Sequence, residues 1–124
     1  MGIGYLRFLV SIFYFSVPGF VGCYLYLGSG FLNQHHVIGI PSEMTLDKCL
    51  DACYRTPGVA IKYAGLVQKQ DENGNIITSC NCGDSNSVIP SGSRLEDHDC
   101  YELCPGDDTQ TCGAYMRAAV YDRK

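Results

Sequence analysis

Eight cysteines constrain the fold of this chain more than any other feature. All eight lie between Cys23 and Cys112 of a sequence of 124 residues, a density well above the ordinary use of cysteine in a globular domain. In an oxidising compartment such a set forms a disulfide framework, whereas in the cytosol the same spacing indicates a metal or redox site. The compartment therefore decides how the cysteines are interpreted.

The N-terminus indicates an oxidising, secretory route. Met1–Arg7 carries one positive charge and no acid, and an uncharged apolar run extends from Phe8 to Phe20. This pattern is typical of a signal peptide, because the apolar run of about 14 residues is shorter than the roughly 20 that a membrane-spanning helix needs. We predict a signal peptide over residues 1–19, with cleavage between 19 and 22, and a single secreted, extracellular domain over residues 20–124. An uncleaved leader that anchors the chain to a membrane is the alternative.

Charge and motifs exclude several function classes. Without Arg7 the mature chain has eight Lys and Arg against thirteen Asp and Glu, a net charge of −5, and its basic residues are scattered. Nucleic acid and a polybasic membrane contact are therefore excluded as partners. No nucleophile elbow, H-E-x-x-H or P-loop pattern occurs. We expect a protein that is not an enzyme, needs no cofactor and does not insert its mature chain into a membrane.

One helix is predicted in the stretch PSEMTLDKCLDACYRTPG. Thr45 is placed to cap its N-terminus, and Pro57 and Gly58 end it. The apolar residues recur at i, i+3, i+4 and i+7, which puts Cys49 and Cys53 on the buried face.

Strands account for much of the remainder. The segment GCYLYLG is the first strand, and YMRAAVYD is the last. The segments VAIKYAGLVQKQ and IITSCNCG are predicted to pair through Asn73-Gly74, the strongest short-range hairpin signal. The stretch RLEDHDCYELCPG suggests a short helical turn that ends at Pro105 and Gly106.

Two pairs of cysteines have matched spacing. Cysteines at i and i+2 of a strand, as in Cys80 and Cys82, lie on one face about 6.6 Å apart, and Cys49 and Cys53 at i and i+4 of a helix lie about 6 Å apart. A helix laid along the strand can therefore be joined to it by two bridges. We favour Cys49 with Cys80 and Cys53 with Cys82 over the crossed pairing.

The other four cysteines are assigned by loop length. Cys104 and Cys112 can close the short PGDDTQT loop, which leaves Cys23 for Cys100. Because eight cysteines allow many connectivities, this assignment remains a geometric preference.

A metal site is the competing interpretation of the same residues. Cys49, Cys53, Cys80 and Cys82 are able in principle to form a four-thiolate zinc site, but the leader routes the chain to a compartment where thiols are oxidised. The segment DENGNIITS only superficially resembles a calcium loop, because Ile76 stands where that loop requires glycine. We predict no metal site, and we assign His35 and His36 to a solvated loop.

The sequence resembles the WSC domain, the eight-cysteine module of fungal cell-wall stress sensors. The resemblance rests on VGCYLY, MTLDKCLDAC, YAGL followed by CNCG, and DCYELCPGDDTQTCGAYMRAAVYD, and it spans Gly22 to Tyr121. It implies an α+β fold similar to PAN/apple modules, in which a small antiparallel sheet is crossed by one main helix and held by four disulfides. It also implies a stand-alone secreted member with a non-catalytic role, usually proposed as carbohydrate binding.

Two departures from the family pattern fall where a ligand is expected to bind. The chain inserts VQKQDENGNIITS between YAGL and CNCG, which lengthens the hairpin, and it has Val67 where members often carry an acid. Sugars are held by aromatic faces and planar polar groups, and with no Trp this role falls to Tyr. We expect Tyr24, Tyr63 and Tyr121 to pack the core. The ligand-binding candidates are Tyr26, Tyr54, Tyr101 and Tyr115, with Gln68, Lys69, Gln70 and Asn73 on the hairpin.

Two functions of different class remain. The first is a lectin-like module that binds a polysaccharide such as β-glucan without cleaving it. The second is an extracellular protein-interaction module that acts with a receptor and uses the hairpin as its recognition loop. An exposed cluster of Tyr rings favours the first, and an apolar hairpin tip favours the second.

Overall fold

The computed structural model describes residues 19–28, 30–35, 41–55, 57–58 and 60–122. The predicted signal peptide up to residue 18 and His36 lie outside these residues. Within them the chain forms one α-helix, seven strands and three short 3₁₀ turns, at Pro41–Glu43, Ser91–Ser93 and Asp97–Asp99. The longer elements are β1 (Phe20–Leu25), β2 (Gln34–His35), α1 (Leu46–Tyr54), β3 (Ile61–Gln70), β4 (Ile76–Asp84), β5 (Leu103–Cys104), β6 (Asp107–Thr111) and β7 (Arg117–Asp122).

Five strands form one antiparallel sheet in the order β1-β7-β3-β4-β2, and β5 and β6 form a separate two-stranded ribbon. The long hairpin of β3 and β4 lies near the centre, with Leu66 opposite Cys80 and Gln70 opposite Ile76. The last strand, β7, inserts between β1 and β3. The α+β architecture of an antiparallel sheet with one main helix, predicted from the sequence, is therefore confirmed.

Helix α1 begins at the predicted cap. The hydroxyl of Thr45 accepts a hydrogen bond from the backbone N–H of Lys48 at 3.0 Å, which satisfies one of the free donors of the first turn. A second link ties this end to the ribbon, because the side chain of Gln110 accepts a hydrogen bond from the N–H of Leu46 at 2.9 Å. The helix therefore starts at a position fixed both locally and by β6.

The structure has four disulfides, and they are the pairs that the spacing favoured. Both bridges of α1 lead to β4, which lays the helix along one face of the sheet. The pairs are Cys23–Cys100, Cys49–Cys80, Cys53–Cys82 and Cys104–Cys112, with Cα–Cα distances of 5.8, 5.5, 5.6 and 4.8 Å. Each distance lies in the normal range for a disulfide.

The two faces of the sheet have different cores. The face under α1 contains all eight cysteines together with aliphatic residues such as Leu46 and Leu66 and the ring of Tyr121. On the opposite face Leu32 packs over the sheet, at a point where Gly65 leaves no room for a side chain: a Cβ there would lie 2.5 Å from a Leu32 methyl group. Tyr24 and Tyr121 are buried as expected, and Tyr63 is partly buried.

Three segments differ from the sequence prediction. His35 was assigned to a solvated loop, but it belongs to strand β2, where its backbone pairs with Asn81 at the edge of β4. The predicted helical turn after Arg94 is limited to the 3₁₀ turn Asp97–Asp99, and the chain then becomes strand β5 because Cys104 is tied back to Cys112. The last strand begins at Arg117 and not at Tyr115. The reason is a tight turn between Ala114 and Arg117 in which Met116 has a φ of 58°, a left-handed conformation that a strand does not contain.

Candidate functional site

The β3–β4 hairpin has an ordered polar tip. One oxygen of the Asp71 carboxylate accepts hydrogen bonds from the N–H groups of Asn73 and Asn75, both at 2.9 Å. Gly74 closes the turn with a φ of 81° and donates its N–H to the Asp71 carbonyl at 3.0 Å. This is the geometry of a three-residue hairpin loop with a left-handed glycine. Asn73 is therefore exposed on a tip whose backbone is held by Asp71.

The segment before β7 lies beside this hairpin. The N–H of Gln68 donates to the Ala114 carbonyl at 3.1 Å, and the N–H of Met116 donates to the Gln68 carbonyl at 3.2 Å. Tyr115 is thereby held against β3 with 44% of its surface exposed, and its hydroxyl donates to the Gln70 side-chain oxygen at 3.4 Å. An aromatic ring and a planar amide, both accessible to solvent, are paired on the flank of the hairpin.

Tyr101 lies next to a residue that pairs with the chain before Tyr115. The N–H of Glu102 donates to the Gly113 carbonyl at 2.8 Å, and Gly113 is two residues before Tyr115. Tyr101 is 57% exposed. We call Gln70, Asn73, Tyr101 and Tyr115 the hairpin-end surface.

Lys69 lies on the opposite face of the hairpin. Its Nζ is 5.1 Å from the centroid of the Tyr26 ring and donates to the Asn81 side-chain oxygen at 3.2 Å. Burial lowers the pKa of the Lys69 ammonium below its usual value. Lys69 is partly buried, and its ammonium group is engaged by the buried side chains of Tyr26 and Asn81.

Two of the candidates identified from the sequence are internal. Tyr26 is 2% exposed and Gln68 is 8% exposed. The Gln68 amide donates to the Cys112 carbonyl and accepts from the Thr78 hydroxyl, both at 3.1 Å. Neither side chain is accessible to a ligand, so the prediction that Tyr26 and Gln68 contact the ligand is wrong. Both side chains stabilise the interior of the domain. Tyr26 is two residues from Tyr24 and lies in the same buried cluster, where its ring packs against Phe31 at a centroid distance of 4.9 Å.

Tyr54 belongs to the other end of the molecule. Cys49 is joined to Cys80 and Cys53 to Cys82, so α1 runs along β4 away from the hairpin tip. Tyr54 follows Cys53 and packs, partly buried, against the cysteine-rich core. It is therefore not brought together with Tyr101 and Tyr115.

The sequence analysis did not identify two groups of side chains near the hairpin: a buried amide and two exposed apolar residues. Asn81 is buried and links Lys69 to Ser79, to which its amide donates at 2.9 Å. Met116 and Ile76 are apolar side chains that are 42% and 54% exposed. The position of Asn81 was available from the period-two pattern, because a residue between two inward cysteines of a strand faces the opposite side.

The cysteines considered as zinc ligands are in disulfides. The sulfurs of Cys49, Cys53 and Cys80 lie within 4.8 Å of one another, and all three are bonded to a partner cysteine. Since the thiolate is the form that binds metal, the oxidised chain offers no thiolate at this cluster.

Burial of Tyr26 gives the stability of the domain a pH dependence. Loss of solvation raises the pKa of its hydroxyl from 10.0 to about 12, although a hydrogen bond with the Leu32 backbone acts in the opposite direction. The unfolded chain ionises Tyr26 before the folded chain does, so its contribution to stability is complete below pH 10.0 and declines as the pH rises towards 12.

We therefore expect Tyr26→Phe to flatten the fall in stability across this alkaline range. Urea unfolding midpoints at a series of pH values measure the effect. The matched control is Tyr101→Phe, whose ring is exposed. An equal alkaline slope in Tyr26→Phe and the unsubstituted chain would contradict this assignment.

Comparison with known proteins identifies one family. The model of the WSC domain matches residues 20–114, a span that includes β1, α1, the hairpin and all eight cysteines. The WSC domain is a cysteine-rich, non-catalytic module that is often associated with carbohydrate binding. No curated protein matches the sequence significantly. Among the helices that the structure describes, none has the length and apolar character needed to cross a membrane.

Proposed function

The chain belongs to the WSC domain family, and from this premise we propose that it is a secreted, non-catalytic module that binds a polysaccharide such as β-glucan. The observation that supports the proposal is the pairing of Tyr115 with Gln70 on the exposed flank of the hairpin. Tyr101 neighbours Glu102, whose backbone is bonded to Gly113, two residues before Tyr115. The sugar-contacting residues of the proposal are those of the hairpin-end surface.

The chemistry of a sugar matches this surface. A pyranose ring presents apolar C–H faces, which pack on an aromatic ring, and equatorial hydroxyls, which bond to planar amides. Tyr115 supplies the ring, Gln70 supplies the amide, and Asn73 adds a second amide at the tip. Its side chains are exposed on the flank and tip of a hairpin, a position suited to contact with an extended chain.

The four disulfides support the proposal that the protein is secreted. Four disulfides in a domain of this size persist in an oxidising compartment and are rare in the cytosol. This agrees with the signal peptide predicted over residues 1–19, which lies almost wholly outside the described residues.

An extracellular protein-interaction module that acts with a receptor is the second candidate. The exposure of Ile76 and Met116 favours it, because apolar side chains at a surface are typical of protein contacts. The hairpin tip itself is polar, with Asp71, Glu72 and Asn73 in sequence, and this favours the polysaccharide.

The test is a pull-down of the purified domain with insoluble β-glucan, chitin and mannan. We expect retention on at least one of them, and we expect Tyr115→Ala to weaken binding about five- to tenfold, because one stacked ring accounts for about 1 to 1.4 kcal/mol. Tyr115→Phe keeps the ring and should retain most of the affinity. Val88→Ala, at a side chain that is 78% exposed, is the control for a change elsewhere on the surface. Retention on none of the three polysaccharides would refute the proposal and leave the protein-interaction candidate.

A further inference from the structure

The start of β1 and the end of β7 meet at one corner of the sheet. The N–H of Asp122, the last residue of β7, donates to the Gly19 carbonyl at 2.7 Å. The next residue, Phe20, lies opposite Tyr121 in the pairing of β1 with β7, and the centroids of these two rings are 5.3 Å apart. The first residue of β1 is therefore fixed beside the end of the last strand.

Asp122 has a carboxylate oxygen that lacks a partner. In the part of the chain that the structure describes, its Oδ1 is buried and makes no hydrogen bond. Removing an ionised carboxylate from water costs free energy unless a cation or a hydrogen-bond donor replaces the water. Opposite Asp122 on β3 is Tyr63, and the Lys62 ammonium lies 5.3 Å from the centroid of the Tyr63 ring. The carboxylate therefore has an acceptor atom left for a further donor.

The position at which the leader is cleaved decides which donor reaches this oxygen. Cleavage after Gly22 would delete three of the six residues of β1, including Phe20, which packs against the cysteine-rich core. It would also place the new α-ammonium on Cys23, which is 0% exposed, and burial of an unpaired ammonium is costly. A mature chain that keeps Phe20 avoids both losses.

We propose that the mature chain begins at Phe20 and that its α-ammonium pairs with the Asp122 carboxylate. A secretory leader peptidase hydrolyses the Gly19–Phe20 peptide bond with one water molecule, which leaves a carboxylate on Gly19 and an ammonium on Phe20. The Phe20 nitrogen is bonded to the carbonyl carbon of Gly19, so it lies within about 5 Å of the Asp122 nitrogen. The side chain of Asp122 is therefore within reach of the new charge.

The ion pair ties the first strand to the last after the leader has gone. Cleavage removes the Gly19 carbonyl from the Asp122 N–H, and the ammonium that replaces it offers three donors to the carboxylate. Arg123 and Lys124 follow Asp122 in the sequence and are competing cations, although their positions lie outside the described residues. The inference rests on the secretion proposed above and is independent of polysaccharide binding at the hairpin-end surface.

The cleavage site is tested with the full chain, leader included, expressed in a secreting yeast. The N-terminal peptide of the secreted protein is identified by mass spectrometry, and we expect it to begin at Phe20. Any other first residue, Cys23 included, overturns the inference and leaves the polysaccharide proposal standing. A chain that keeps its leader and stays in the cell overturns both the inference and the proposed secretion.

The ion pair is tested through the pKa of the α-amino group, measured from the pH dependence of its modification by acetic anhydride. A neighbouring carboxylate favours the charged form, so we expect a midpoint about one pH unit above the usual range of about 7.7 to 8.0. The same chain unfolded in urea is the reference. Asp122→Asn should return the midpoint to that reference, whereas Asp108→Asn, which removes an exposed carboxylate, should leave it raised.

A third variant, with Arg123→Gln and Lys124→Gln, removes the competing cations and should keep the raised midpoint. Comparison of the folded and the unfolded unsubstituted chain needs no variant, so it remains decisive if Asp122→Asn folds poorly. Equal midpoints in the folded and unfolded chain, or an unchanged midpoint in folded Asp122→Asn, would show that the ammonium does not pair with Asp122.

Discussion

Reduction of all four disulfides in the presence of a metal chelator is expected to unfold the domain. Eight of the fifteen buried residues in the core beneath α1 are cysteines, so the bridges replace much of the aliphatic packing that a larger domain would have. Each bridge contributes about 2 to 4 kcal/mol, and a small domain has a net stability of about 5 to 15 kcal/mol. Their joint removal is therefore comparable to the whole free energy of folding. Loss of helical circular dichroism and of amide-proton protection measures the result.

The four bridges should not contribute equally. Cys23–Cys100 spans 77 residues and Cys104–Cys112 spans 8. Because a longer closed loop restricts the unfolded chain more, we expect the double Ala variant of the first pair to be about 2 kcal/mol less stable than that of the second. Denaturant unfolding of the two double variants gives the comparison. A folded, protected core after full reduction would show that the bridges do not dominate stability. The reverse order of the two double variants would show that loop length does not set their relative contributions.

The elements that position the disulfides were predictable from local sequence. Thr45 as a helix cap and Asn73-Gly74 as a hairpin turn are short-range signals, and the structure has both. The pairing of Cys49 and Cys53 with Cys80 and Cys82 followed from two periods, 3.6 for the helix and 2 for the strand, that give nearly equal spacing. The local sequence signals and the disulfide pairing therefore favour the same fold, and such agreement is what allows a fold to be predicted from sequence.

The composition of the candidate site was less predictable, because exposure depends on what packs over each face of the sheet. Tyr26 lies in the same buried cluster as Tyr24, and the ring of Phe31 and the ammonium group of Lys69 lie against it. Tyr54 was placed correctly on α1, but its distance from the hairpin depends on the direction of the helix along β4. The neighbourhood of Tyr115 and Gln70 depends on the turn at Met116, whose left-handed φ has no signal in the sequence.

Gly113→Ala is expected to be far more destabilising than Gly74→Ala. Gly113 has a φ of 82°, and a Cβ on it would lie 2.2 Å from the Leu66 carbonyl oxygen and 2.4 Å from that of Arg117. Both obstacles are backbone atoms, of β3 and β7, so they cannot be relieved by rotation of a side chain. We expect a loss of about 4 kcal/mol or more in unfolding free energy, in the range reserved for severe core defects.

Gly74→Ala separates the two causes of this loss. Gly74 has nearly the same φ, 81°, but a Cβ on it would meet no atom within 4 Å. This substitution therefore carries only the left-handed backbone strain, about 1 to 2 kcal/mol, and the difference between the variants measures the clash with β3 and β7. Since Gln68 pairs with the chain on both sides of Tyr115, a shift of this backbone should also displace the hairpin-end surface, and Gly113→Ala should lose polysaccharide retention that Gly74→Ala keeps. Equal melting temperatures for the two variants would mean that the backbone around Gly113 can shift to accommodate a methyl group. The conclusion that this backbone holds Tyr115 in a fixed position against β3 would then be wrong.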